Sequence, residues 1–260
     1  MLTRRRVAVA VAVLLTIVIA SGCSELPGER LAQASDPLNP PSLVIFAFDR
    51  SSSILEHELA HAASLTRDRM RRLTHGDRFV ALEILQLSLV EEPHRWAQQV
   101  PEREFPDRTM PRDSVTLARF LQDARDYLGT FTDPAGREEI RGTDILSTLH
   151  LVDEELAANP GHLSTLVLYS DMLQANEIMN MEDLVRMPPA DWVTRQAAAR
   201  TLPDLSGLCV VVVGAVDDND RSQVVRRFWE EYFEATGAEL REPNYGYRPV
   251  QIPVRPCPGL

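Results

Sequence analysis

The sequence predicts an α/β protein: a central, mostly parallel sheet with helices on both faces. Two fully apolar runs, residues 43–48 and 208–213, read as strands buried on both faces, since a half-exposed strand would alternate with polar residues. Segments with apolar residues three or four apart separate the strands, and strands alternating with helices imply parallel pairing. The first apolar run ends at Asp49, and in an open α/β sheet ligands bind at the carboxyl ends of strands.

The chain begins with Arg4-Arg5-Arg6, an apolar run over 7–20 and small residues before Cys23. A charged n-region, an h-region and a cleavage site make residues 1–22 an export signal, excluded from the fold. Ile19-Ala20-Ser21-Gly22-Cys23 resembles a bacterial lipobox, although Ala20 stands where leucine is most common. The resemblance implies that Cys23 is lipidated and becomes the first mature residue. An uncleaved anchor is the rival, with an apolar run short for a span. Residues 23–41, with Pro27, Pro37, Pro40 and Pro41, read as a flexible tether, 42–242 as the domain, and 243–260 as a proline-rich tail.

Within the domain, the strand at 43–48 leads to a helix over about 53–73, whose stripe is Leu55, Leu59, Ala62, Met70 and Leu73. Ser53 with Glu56 fits a capping box. A second strand follows at 78–85. Residues 90–110 lose the pattern to prolines and charges, and any edge strand there cannot be placed. A helix at 114–128, a turn at 133–136, a helix running from Thr143 to about 158 and a strand at 163–169 come next. Residues 172–206 form a long insertion carrying Met172, Met179, Met181 and Met187, with a helix near 190–200. The strand at 208–213 and a helix at 222–235 complete the pattern.

Removing residues 1–22 takes away three arginines and no acids, moving the formal charge from −11 to −14. A domain this acidic is a poor candidate for nucleic acid or for an anionic lipid surface. All 27 basic residues are arginine, so Schiff-base chemistry and a phosphate-loop lysine are excluded. No Gly-x-Ser-x-Gly elbow is present, and Ser51 has no evident histidine partner.

Asp49-Arg50-Ser51-Ser52-Ser53 places a carboxylate and two hydroxyls at alternate positions, an all-oxygen set suited to a hard divalent cation. The stretch resembles the opening motif of the von Willebrand factor type A family, whose metal-ion-dependent adhesion site starts with this spacing. Thr143, after a glycine and before Asp144-Ile145, resembles the family's second motif, and Ser170-Asp171 its third. Together the matches cover about residues 41–240. The resemblance implies a Rossmann-like sheet with a site at its C-terminal edge, where Asp49, Ser51, Ser53, Thr143 and Asp171 hold Mg²⁺ or Mn²⁺. It further implies an open coordination position for an Asp or Glu of a partner protein. Met172 stands where the family commonly has glycine, which predicts an altered or partly covered face over 172–206. The methionines there read either as an apolar rim beside the metal or as the core of a covering element.

The competing motif is His57-Glu58-Leu59-Ala60-His61, His-Glu-x-x-His on a helix, which in zinc peptidases supplies two imidazole ligands and a general base. At 100° per residue the two histidines fall opposite the apolar stripe, toward water, and Glu83 is only a nominal third ligand. Cys209 and Cys257 either pair or leave Cys209 a buried thiol.

The expected function is thus a non-enzymatic, lipid-anchored module of the bacterial envelope, facing the periplasm, that binds protein through a divalent metal. Ser24 after the lipidated cysteine favours the outer membrane. The alternatives are a zinc peptidase using His57, Glu58 and His61, and a metal-free scaffold of an envelope complex.

Overall fold

The computed structural model describes residues 40–51, 54–86, 88–89, 95–105, 108–132, 142–177, 179–183, 187–216, 218–247 and 257. The export signal, Cys23, nearly all of the tether, Ser53 and the 133–136 turn lie outside the described residues.

Six strands form one sheet: β1 (Ser42–Asp49), β2 (Arg78–Ile84), β3 (Arg95–Gln99), β4 (Leu163–Tyr169), β5 (Leu208–Val213) and β6 (Glu239–Gly246). Their order is β3-β2-β1-β4-β5-β6, parallel throughout except for β3. The helices are α1 (Glu56–Met70), α2 (Pro111–Thr132), α3 (Ile145–Ala158), α4 (Trp192–Ala199) and α5 (Asp220–Ala235). This is the mostly parallel α/β sheet that the sequence predicts. Among the described residues no helix is long and apolar enough to cross a membrane.

Alternation along the strands divides the core in two. Leu43, Ile45 and Ala47 pack with Leu149 and Val152 of α3 and with Trp229 and Phe233 of α5. Val44, Phe46 and Phe48 face the other way, toward Ala62 and Met70 of α1 and Phe120 and Leu128 of α2. Strands covered on both faces need apolar residues at every position, which is why β1 and β5 read as unbroken runs.

Three elements depart from the sequence expectation. Helix α1 starts at Glu56, with Leu55 as its N-cap, instead of near Ser53; Glu58 Oε2 accepts from the Leu55 amide at 2.7 Å. Leu55, expected on the buried stripe, is exposed because it precedes the helix. Strand β3 is short and half exposed, and β6 takes Glu239–Gly246 out of what reads as domain end and proline-rich tail. β6 is an edge strand, and a register shift opposite Val210–Val212 accommodates Pro243, which cannot donate to a ladder.

The Sγ atoms of Cys209 and Cys257 are bonded at 2.08 Å. Cys209, the second residue of β5, lies opposite Glu239 at the start of β6, so the link joins the tail to the end of the sheet remote from Asp49.

Candidate functional site

Strand order reverses between β1 and β4, and that switch point places Asp49, at the end of β1, beside Ser170 and Asp171 after β4. Asp49 is fully buried. Its Oδ1 accepts from the Ser51 amide at 2.9 Å, and its Oδ2 accepts from Ser170 Oγ at 2.8 Å. Thr143 Oγ1 lies 3.4 Å from both carboxylate oxygens. The structure therefore brings together Asp49, Ser51, Thr143 and Asp171 of the expected set; Ser53 lies outside the described residues.

Burial pushes the Asp49 carboxyl up to about 6, and the nearby Asp171 carboxylate adds to the rise. Opposing it are the hydrogen bonds from Ser51 and Ser170. Two carboxylates close enough to disfavour each other's charge, among hydroxyl oxygens, fit a hard divalent cation, which would relieve their repulsion. Among the described residues no group of three or more His, Cys, Asp or Glu is placed so that it could hold a metal ion. The Asp49 set has two carboxylates and takes its other oxygens from hydroxyls.

Ser170 is the residue that sequence reasoning treated only as Asp171's neighbour. Its Oγ accepts from the Met172 amide at 3.0 Å while donating to Asp49, linking the third loop to the first. Gly214, at φ +105°, passes close by: a Cβ there would lie 3.1 Å from the Ser170 carbonyl oxygen.

The 172–206 insertion joins the second and third loops. Thr143 and Ala175 exchange backbone N–H···O bonds of 2.8 Å in each direction. Buried Gln174 accepts from the Ile145 and Leu146 amides at 2.7 and 3.2 Å and donates to Asp144 at 2.9 Å, so it caps α3 from outside the helix. Gly142, at φ +92°, fits beneath this junction, where a Cβ would lie 2.4 Å from the Ala175 carbonyl oxygen. Met172 takes the left-handed backbone, φ 65°, that suits the glycine it replaces in the resemblance. Its carbonyl accepts from the Trp229 indole at 2.8 Å. Met172, Met179 and Met181 are buried in the α3–α5 core, with Met187 packed against it, so they form a core instead of a rim.

The histidine pair meets different surroundings. His57 and His61 are exposed on α1, on the lip of a small cleft of about 30 Å³ whose floor includes Leu59, Ala62 and Tyr169. His57 Nε2 lies 3.4 Å from the Tyr247 hydroxyl. Glu58 serves as the helix cap, and Glu83 forms a buried ion pair with Arg50 at 2.7 Å. Glu58 lines the same cleft as the two histidines.

No family model matches this chain, and no curated protein matches it. Solved structures similar to it include the pilus adhesin SpaC of Lactobacillus rhamnosus GG in an open conformation, with 11% identity and a TM-score of 0.46. Others are proximal thread matrix protein 1 of the mussel byssus (15%, 0.38) and a von Willebrand factor type A structure from Catenulispora acidiphila (13%, 0.34). The matches cover 75, 76 and 77% of this chain but only 27, 49 and 44% of those chains. With TM-scores below 0.5, the class of this chain rests on its own strand order: an α/β domain with a buried acidic centre at its switch point.

Proposed function

We propose that this chain is an exported, lipid-anchored domain that recognises a partner protein through a divalent cation. Asp49, Ser51, Ser53, Thr143 and Asp171 would hold Mg²⁺ or Mn²⁺, with Ser170 orienting Asp49. When bound, the cation supplies a positive centre with a coordination position for a partner's Asp or Glu. The observation that carries this reading is Asp49: a fully buried carboxylate among hydroxyls, with a second carboxylate beside it, at the point of the sheet where ligands bind.

The surroundings favour a protein as the partner. Leu55, Leu89, Val216 and Tyr247 are 54, 54, 42 and 40% exposed, and each lies just beyond the C-terminal end of a strand, β1, β2, β5 and β6 respectively. Exposed large apolar side chains after the strand ends suit contact with another protein surface. Lipidation at Cys23 would hold the domain at the envelope, facing the periplasm, and Ser24 favours the outer membrane.

Metal analysis tests the reading. The purified chain, equilibrated with Mg²⁺, Mn²⁺ and Zn²⁺ together and then desalted, should retain magnesium or manganese near one per chain. Zinc retained in their place would point to the peptidase, and no metal at all to the scaffold. For the anchor, Cys23→Ser should abolish membrane fractionation; unchanged fractionation and migration would refute lipidation.

A further inference from the structure

The cleft on whose lip the two histidines stand lies between α1 and the carboxyl ends of β4 and β5. Its buried floor is Leu59 and Ala62 of α1, Tyr169 and Ser170 at the end of β4, and Val213 of β5. Ser170 belongs to the cleft and to the acidic centre alike, since its Oγ donates to Asp49 Oδ2 at 2.8 Å. The hydroxyls of that floor already have partners. Ser170 Oγ also accepts from the Met172 amide, and the buried Tyr169 hydroxyl is hydrogen-bonded to Thr66 Oγ1 at 3.2 Å. The titratable groups His57, Glu58 and His61 line the cleft too, but they are exposed or half-exposed. A polar or charged group entering the floor would lose its water and find little in return, whereas an aliphatic group would gain by burial.

Size narrows the occupant further. A cavity of about 150 Å³ takes a benzene ring, and a single water needs about 10–15 Å³. A cleft of about 30 Å³ therefore admits a methyl or isopropyl group and no ring. We propose that it receives a short aliphatic side chain, of valine size, from the same short segment of the partner whose Asp or Glu reaches the metal. The proposal rests on the metal reading above and gives the partner a second required residue. Because Ser170 is common to both sites, side chains one or two residues apart on an extended segment, about 4–7 Å along the chain, can occupy the two together. The cation would recruit the acid, and the cleft would select its neighbour.

The test uses the full chain loaded with Mn²⁺ and blocked pentapeptides in which a central Asp is flanked on each side by two valines, two glycines or two phenylalanines. Paramagnetic broadening of the peptide resonances reports binding at the metal. The valine peptide should bind about fivefold or more tighter than the glycine peptide, the gain expected from burying one or two methyl groups, and tighter than the phenylalanine peptide. In Ala62→Leu, whose added carbons would fill the cleft, the valine advantage should disappear. If Ala62→Leu does not fold, the parent decides alone, by valine over both glycine and phenylalanine. Equal affinities, a preference for phenylalanine, or a valine advantage that survives in folded Ala62→Leu overturns the subsite and leaves the metal site standing. A parent that binds Mn²⁺ but none of the peptides overturns it as well. A parent that binds no Mn²⁺ overturns the metal reading itself, and the proposal with it.

Discussion

Asp49 is the residue on which the site depends, and its titration gives a signed prediction. Its carboxyl is pushed up to about 6 from the ordinary 3.8, mainly by burial. The native chain therefore holds more protons than the unfolded chain between those values, and metal-free stability falls as pH rises from about 4 to 6. In chelator, Asp49→Asn should be more stable than the parent at pH 7.5 by about 3 kcal/mol, with the gap closing toward pH 4. Equal stabilities across that range, measured by urea unfolding, would show that burial of the charge costs nothing. Gly142 provides a second residue-scale test. A Cβ at φ +92° would meet the Ala175 carbonyl at 2.4 Å, so Gly142→Ala should cost about 2 kcal/mol or more and disturb Thr143. The Asp-x-Ser-x-Ser spacing, Thr143 and Asp171 were legible because each ends or begins a strongly patterned element. Ser170 was not, since a serine before an aspartate carries no mark of the hydrogen bond it gives to a residue 121 positions away.

At the scale of elements, legibility follows burial. β1 and β5 are covered on both faces and declare themselves as apolar runs, whereas β3 and β6 lie at the two edges and carry half-exposed, charged sequences such as Arg95-Trp96-Ala97-Gln98-Gln99. An edge strand needs only one apolar neighbour and can include Pro243, so period and propensity give little sign of it. The insertion was legible as an interruption but not in its role, because Gln174 caps α3 across 29 positions of sequence. The disulfide fastens β5 to the tail, with a sequence separation of 48. Restricting so long a loop in the unfolded chain predicts that Cys209→Ser with Cys257→Ser lowers stability by about 4 kcal/mol. Since the bond lies at the end of the sheet remote from Asp49, Mn²⁺ affinity of the folded variant should be unchanged. A large loss of affinity would mean that the two ends of the sheet are coupled.

At the scale of the molecule, charge bears on the proposed metal. With a formal charge of −11 the chain would repel an acidic partner, and a dication on the face of the site would reverse the sign locally. Two motifs sit within a dozen residues of each other, one of oxygen ligands and one of histidines, and the structure assigns them different surroundings: Asp49 buried at the switch point, His57 and His61 exposed on α1. The most direct measurement is therefore Mn²⁺ and Zn²⁺ binding to three proteins: the parent, Asp49→Ala, and His57→Ala with His61→Ala. The account predicts Mn²⁺ binding in the parent and in the histidine double variant, and its loss in Asp49→Ala. Tight zinc binding that disappears with the histidines and survives Asp49→Ala would contradict it.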